Sequence, residues 1–222
     1  MGILGKIFSV NITKDGVPLN FNPLELLTPE ELKKGIAWQK RDFHECVDRE
    51  DWNAAAVVGA RLRVLDESWY PDIEASQKIK HYMEGELAKD IDEGIETGYF
   101  GAAIKIIPLR LLYPDWRPNA TVTAAMRPLL EQEVKDGYTR ILLAPTDSDR
   151  LVSMAGLRLI ALGTALLYDD WRPDAKVSRE IFAHDKKLIE RSRTQVKLGN
   201  EDLLSEMAHR VAELRVLFKK KI

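Results

Sequence analysis

One motif occurs twice in this chain and a third time in weaker form. Leu111-Leu112-Tyr113-Pro114-Asp115-Trp116-Arg117-Pro118-Asn119-Ala120-Thr121-Val122 and Leu166-Leu167-Tyr168-Asp169-Asp170-Trp171-Arg172-Pro173-Asp174-Ala175-Lys176-Val177 agree at nine of twelve positions, 55 residues apart. Arg61–Asp72, 47 residues upstream of residues 108–119, keeps five of twelve, Trp69 and Pro71 among them. Apolar residues at helical spacing lead into the motif: Ile104, Ile107 and Leu111 in one copy, Leu159, Leu162 and Leu166 in the next. A proline two residues after the tryptophan lacks the N–H that a helix interior needs, and it drives the residue before it to extended geometry. The motif therefore reads as a corner between two antiparallel helices. Trp69, Trp116 and Trp171 plug that corner with a large apolar area whose indole N–H stays near backbone acceptors. Asp72, Asn119 and Asp174, one residue past each proline, are placed to cap the helix that follows. A helical hairpin recurring every 47–55 residues buries its apolar face on its neighbours, which is how α-solenoids are built. The expected fold is all-α: three stacked helical-hairpin repeats over residues 28–222, closed by a capping helix near 201–220.

Signals outside the motif fit this scheme. Thr28-Pro29-Glu30-Glu31 is a capping box with proline at the first helical position. Helices are expected near 29–47, 51–66, 73–93, 98–113, 119–136, 150–168, 174–197 and 201–220. Gly137 is expected to end the fifth, and Pro108 to bend the fourth or delay its start. Residues 1–27 differ. Phe8, Val10 and Ile12 alternate with polar residues, Asp15-Gly16 follows, and Val17, Leu19 and Phe21 alternate again, the pattern of a β-hairpin or extended arm. A lone hairpin is marginal in water, so it needs a surface, either its own helices or another subunit. At the other end, Leu204, Met207, Val211, Leu214 and Phe218 are spaced 3-4-3-4, a two-heptad seam suited to docking on a helix of the same chain or of another. The same chain is favoured, because the terminal repeat of a stack needs a cap.

Composition and motif content narrow the function. Lys plus Arg number 33 against 35 Asp plus Glu, a net charge of −2 that weighs against a nucleic-acid partner. Residues 151–222 are the basic part, with 14 Lys plus Arg against 10 Asp plus Glu, and the run Lys219-Lys220-Lys221 reads as a solvated helix end. Cys46 is the single cysteine, so an intrachain disulfide and a cysteine-based zinc site are excluded, and a reducing compartment fits. The apolar run from Leu151 to Tyr168 contains Arg158 and two glycines, which argues for a central buried helix over a membrane span. His44, His81, His184 and His209 form no His-Glu-x-x-His pattern. His44-Glu45-Cys46 with Asp48 reads as a polar helix face, and Asp90-Ile91-Asp92-Glu93-Gly94, short of calcium ligands, as an acidic helix end closed by glycine. Asp147 and Asp149 read as helix caps. No phosphate loop, nucleotide fingerprint or nucleophile elbow occurs.

No cofactor or metal is therefore expected, and the pattern points away from an enzyme. It points to a structural or protein-interaction subunit of a larger assembly, binding a protein partner or itself, in the cytoplasm or in an intracellularly assembled particle. Phe8, Val10 and Ile12 of the arm and Leu204, Met207, Val211, Leu214 and Phe218 of the seam are its candidate interaction residues. Trp69, Pro71, Trp116, Arg117, Pro118, Trp171, Arg172 and Pro173 are its repeat corners. The alternative is a helical enzyme or small-ligand-binding protein with a site between hairpins. There Arg117 and Arg172, beside Trp116 and Trp171 and with Asp115 and Asp170, would stack on or clamp a planar or anionic group.

Overall fold

Helix starts in this chain are set by side chains that accept the first free backbone N–H groups. Thr28 Oγ1 accepts from Glu31 N at 3.1 Å while the Glu31 carboxylate accepts from Thr28 N at 2.8 Å, closing the capping box. Asp51 caps the second helix by accepting from Ala54 N at 3.0 Å. In the computed structural model, which describes residues 22–97 and 100–218, eight α-helices follow one another: α1 Pro29–Asp48, α2 Trp52–Leu65, α3 Ile73–Thr97, α4 Phe100–Leu112, α5 Ala120–Leu143, α6 Asp147–Leu167, α7 Ala175–Lys197 and α8 Leu203–Phe218. No strand occurs among the described residues. The fold is all-α. The hairpin expected around Phe8, Val10 and Ile12 lies outside the described residues.

The helices fall close to the expected ranges, with local differences that have physical causes. The fifth runs past Gly137 to Leu143, because Gly137 marks a crossing with α6 and not a helix end: a Cβ there would stand 3.3 Å from Leu157 Cδ1. The third likewise runs past Gly94 to Thr97. Thr146, not Asp147 or Asp149, caps α6; its Oγ1 accepts from Asp149 N at 3.1 Å and donates to Asp149 Oδ2 at 2.6 Å. Pro108 lies inside α4. Pro23–Leu26 forms a short 3-10 helix that packs on α8, with Leu26 and Leu27 buried, so this stretch belongs to the helical body and not to an arm ending at residue 27.

Sequential helices pair as four hairpins, α1–α2, α3–α4, α5–α6 and α7–α8. The tryptophan corners connect one hairpin to the next and do not lie within a hairpin, which corrects the reading of the motif as a hairpin tip. The even helices then form a closed cycle: α2 packs on α4, α4 on α6, α6 on α8, and α8 back on α2. Around them α1 covers α2 and α8, α3 covers α2 and α4, α5 lies on α6, and α7 on α8. Small residues allow the close crossings. A Cβ on Gly163 of α6 would stand 2.7 Å from the Ala103 carbonyl oxygen of α4, and one on Gly35 of α1 would stand 2.8 Å from Ala208 Cβ of α8. The last helix is thus a central element of the body rather than a cap on one end of it. Among the described residues, α6 alone is long and apolar enough to cross a membrane, and half of that stretch is buried here against its neighbours.

Candidate functional site

The backbone turn and the helix cap recur at all three corners. Trp69 N donates to Asp66 O at 3.0 Å, Trp116 N to Tyr113 O at 2.9 Å and Trp171 N to Tyr168 O at 3.0 Å. Each turn ends in a cap: Asp72 Oδ1 accepts from Ala75 N at 2.8 Å, Asn119 Oδ1 from Thr121 N at 2.8 Å, and Asp174 Oδ1 from Lys176 N and Val177 N at 2.8 and 2.9 Å. Arg63 and Arg110, each six residues before a tryptophan, donate to the carbonyl oxygens of Trp69 and Trp116 at 3.2 and 2.9 Å. The three tryptophans are half-buried against the core. Trp69 meets Phe43 edge-on with ring centroids 4.9 Å apart, and Trp116 Nε1 donates to Glu84 Oε1 at 2.9 Å.

The second and third corners are also fastened to the helix that follows the preceding corner. Tyr113 Oη donates to Ser76 O of α3 at 2.6 Å, and Tyr168 Oη to Thr123 O of α5 at 2.5 Å. Ser76 and Thr123 stand at the same offset, seven residues past Trp69 and Trp116. A cation eleven residues past Trp69 and past Trp116 covers the ring of the next corner's tyrosine: Lys80 Nζ lies 5.9 Å from the Tyr113 centroid, and the Arg127 guanidinium 5.1 Å from that of Tyr168. Burial pushes the Tyr168 hydroxyl up to about 12, so it remains a donor. The first corner has Asp66 in place of tyrosine, held by Lys40 of α1 at 3.2 Å. These joints are half-buried and hydrogen-bonded, so Trp116→Ala is expected to cost about 2 kcal/mol, short of the 3–5 kcal/mol of a fully buried aromatic. Tyr168→Phe should cost about 1 kcal/mol. Urea unfolding midpoints check both values.

The corner arginines face their own loops. Arg117 Nη1 donates to the Pro114 carbonyl and, at 2.7 Å, to the Trp116 carbonyl, and Arg172 Nη1 to the Trp171 carbonyl. Asp170 accepts both Nη groups of Arg127 at 2.8 and 3.1 Å. The seam of α8 is internal: Leu204, Met207, Val211 and Leu214 are buried within the chain, and Phe218 meets Phe182 of α7 with centroids 6.1 Å apart. Of the His44 group, Cys46 is buried while His44, Glu45 and Asp48 are exposed. No group of His, Cys, Asp or Glu suited to a metal occurs among the described residues.

A buried charge network ties α6, α7 and α8 together. Arg158 Nη1 donates to Asp185 Oδ1 at 2.9 Å, and Arg158 Nε lies 2.7 Å from Glu213 Oε2, in contact but off hydrogen-bond alignment. Arg210 Nη1 stands 3.4 Å from the same Asp185 oxygen, and His209 Nε2 meets Glu213 Oε1. Burial works to raise the Glu213 pKa, but His209, Arg158 and Arg61 outweigh it and hold it at about 2. Burial pushes His209 down, so the neutral ring with its proton on Nε2 serves the Glu213 carboxylate.

The surface departs from a uniformly polar coat at the tip of the α5–α6 hairpin. Leu142 is 61% exposed, Leu143 75%, Leu151 47% and Val152 72%, all within eleven residues of chain. Leu151 also lines a cleft of about 330 Å³ between α6 and α7, with Met154, Ala183 and Leu188 as further apolar lining, Arg150, His184, Lys187 and Arg191 as basic groups, and Asp147 and Glu180 as acidic ones. Arg150 is paired with Glu180 at 3.2 Å. Lys187 and Arg191 have no ion-pair partner among the described residues. Comparison with known proteins finds no family model, no curated protein and no solved structure that matches the chain. Sequence reasoning passed over this tip because Ile141-Leu142-Leu143 and Leu151-Val152 have the composition of core, and in each run part of the helix face turns outward.

Proposed function

We propose that the protein is a non-enzymatic interaction subunit, a set of helical hairpins that presents the α5–α6 tip and the adjoining α6–α7 cleft to a protein partner. The observation that carries this reading is the cluster of Leu142, Leu143, Leu151 and Val152 in solvent, since soluble chains rarely leave large aliphatic side chains grouped in water without a partner. Lys187 and Arg191, which form no ion pair among the described residues and stand in a cleft that also holds Asp147 and Glu180, suit an amphipathic helix with acidic residues along one edge. The hairpin joints supply the rigidity that such a surface needs, and the corner arginines serve the joints. The test is the native mass of the protein isolated from its own source, beside a Leu143→Glu/Val152→Glu variant. The wild-type chain is expected in an assembly larger than one chain, and the variant at the mass of one chain with unchanged helicity. A wild-type chain recovered alone, or a variant still in the assembly, overturns the reading.

A further inference from the structure

The even helices line a pocket of about 210 Å³ that is partly open to solvent. Val64 of α2, Ile107 of α4, Leu162 of α6 and Val216 of α8 stand in its wall, so every even helix gives it an aliphatic side chain. Two charged residues enter the same lining, Arg61 from α2 and Glu213 from α8. Their situations differ. The Glu213 carboxylate is already held by Arg158 at 2.7 Å and by His209. Arg61 makes no hydrogen bond or ion pair among the described residues. Glu213 and Asp42 act on it as opposite charges from beyond contact distance, and Arg158 as a like charge.

Arg61 is half-buried, and with no protein acceptor its guanidinium fork stays free for a counter-ion that enters the pocket. The chemical complement of that fork is a planar anion: a carboxylate offers two oxygens at the spacing of the guanidinium fork. The remaining lining asks for an apolar body. An apolar cavity of roughly 150 Å³ takes benzene, so this one has room for a body slightly larger than a benzene ring. We propose that this cavity is a binding site for a small amphipathic carboxylate, with the carboxylate on Arg61 and the apolar body between the four even helices. The site is separate from the α5–α6 tip and does not depend on the tip having a partner.

Calorimetric titration of the full chain at pH 7 with 4-methylbenzoate, 4-methylbenzyl alcohol and 4-methylbenzylamine tests it. The acid is expected to bind at least about tenfold more tightly than the alcohol, the gain of a charge-assisted pair, and the amine more weakly than both. Arg61→Leu should bring the acid down to the affinity of the alcohol. That variant also withdraws one of the positive charges that favour the Glu213 carboxylate, so circular dichroism checks its fold beside the titration. Arg61→Lys should keep part of the preference, and Val64→Phe, which fills the cavity from α2, should abolish binding of acid and alcohol alike. Equal affinity for acid and alcohol, a preference untouched by Arg61→Leu, binding undiminished in a folded Val64→Phe variant, or no binding to the wild-type chain would each overturn the proposal.

Discussion

Removal of residues 203–222 is expected to abolish cooperative unfolding and leave an aggregating chain. The helix lost, α8, buries Leu204, Met207, Val211, Leu214 and Leu217 against α1, α2, α6 and α7. Truncating one buried Leu or Met to alanine costs about 2–5 kcal/mol, so the four Leu and Met side chains alone amount to about 8–20 kcal/mol, as much as the roughly 5–15 kcal/mol that holds a domain folded. The cut also opens the even-helix cycle and strips Arg158 of Glu213. A thermal melt with circular dichroism and light scattering checks the outcome. A soluble truncated chain with a sharp transition would show that hairpins α1–α2, α3–α4 and α5–α6 fold without the fourth.

Glu213→Ala should have the largest effect of any single exchange in the charge network, about 3–5 kcal/mol, because it leaves Arg158 buried with part of its counter-charge gone. Arg158→Met combined with Glu213→Leu should recover most of that loss, since Asp185 keeps Arg210 at 3.4 Å and the apolar pair needs no partner. The same network sets the acid limit. Glu213 has a folded pKa of about 2 against an ordinary 4.5, so its stabilisation is complete above about pH 4.5 and is lost as pH falls towards 2. The His209 pKa is also lowered from 6.5, so protons favour the unfolded chain as pH falls below that value. Denaturant midpoints at pH 7, 5.5 and 4 should therefore decline in steps, and Glu213→Gln should flatten the lower one. A Glu213→Ala loss within about 0.5 kcal/mol would place the network in water, as for an ordinary surface pair.

Much of the helical content was legible because punctuation in this chain is strong. Thr28-Pro29-Glu30-Glu31 and the three Trp-x-Pro-Asp/Asn corners mark helix ends by geometry that proline and the caps enforce. Gly137 misled because a glycine at a helix crossing and a glycine at a helix end look alike until the neighbouring helix is placed. The hydrogen bonds of Tyr113 and Tyr168 were hidden for another reason: their acceptors are backbone carbonyls, which any residue at 76 or 123 would supply. Return of α8 to α1 and α2 is a contact across some 150 residues, and local periodicity carries no information on it. Arg158 in an apolar run was the visible trace of the charge network, but its partners lie 27 and 55 residues further on, on two other helices.

Closure of the even helices into a cycle also fixes an order of events during synthesis. As the chain emerges, α1 to α6 can pair as hairpins and dock in sequence, each through its tryptophan joint. Until α8 is free of the ribosome, the faces of α1 and α2 that it will cover stay open, and at about 5–20 residues per second the intervening stretch from residue 66 to residue 218 takes several seconds or more. The nascent chain thus spends that interval with apolar surface from its first hairpin in water, the kind of surface on which chaperones act.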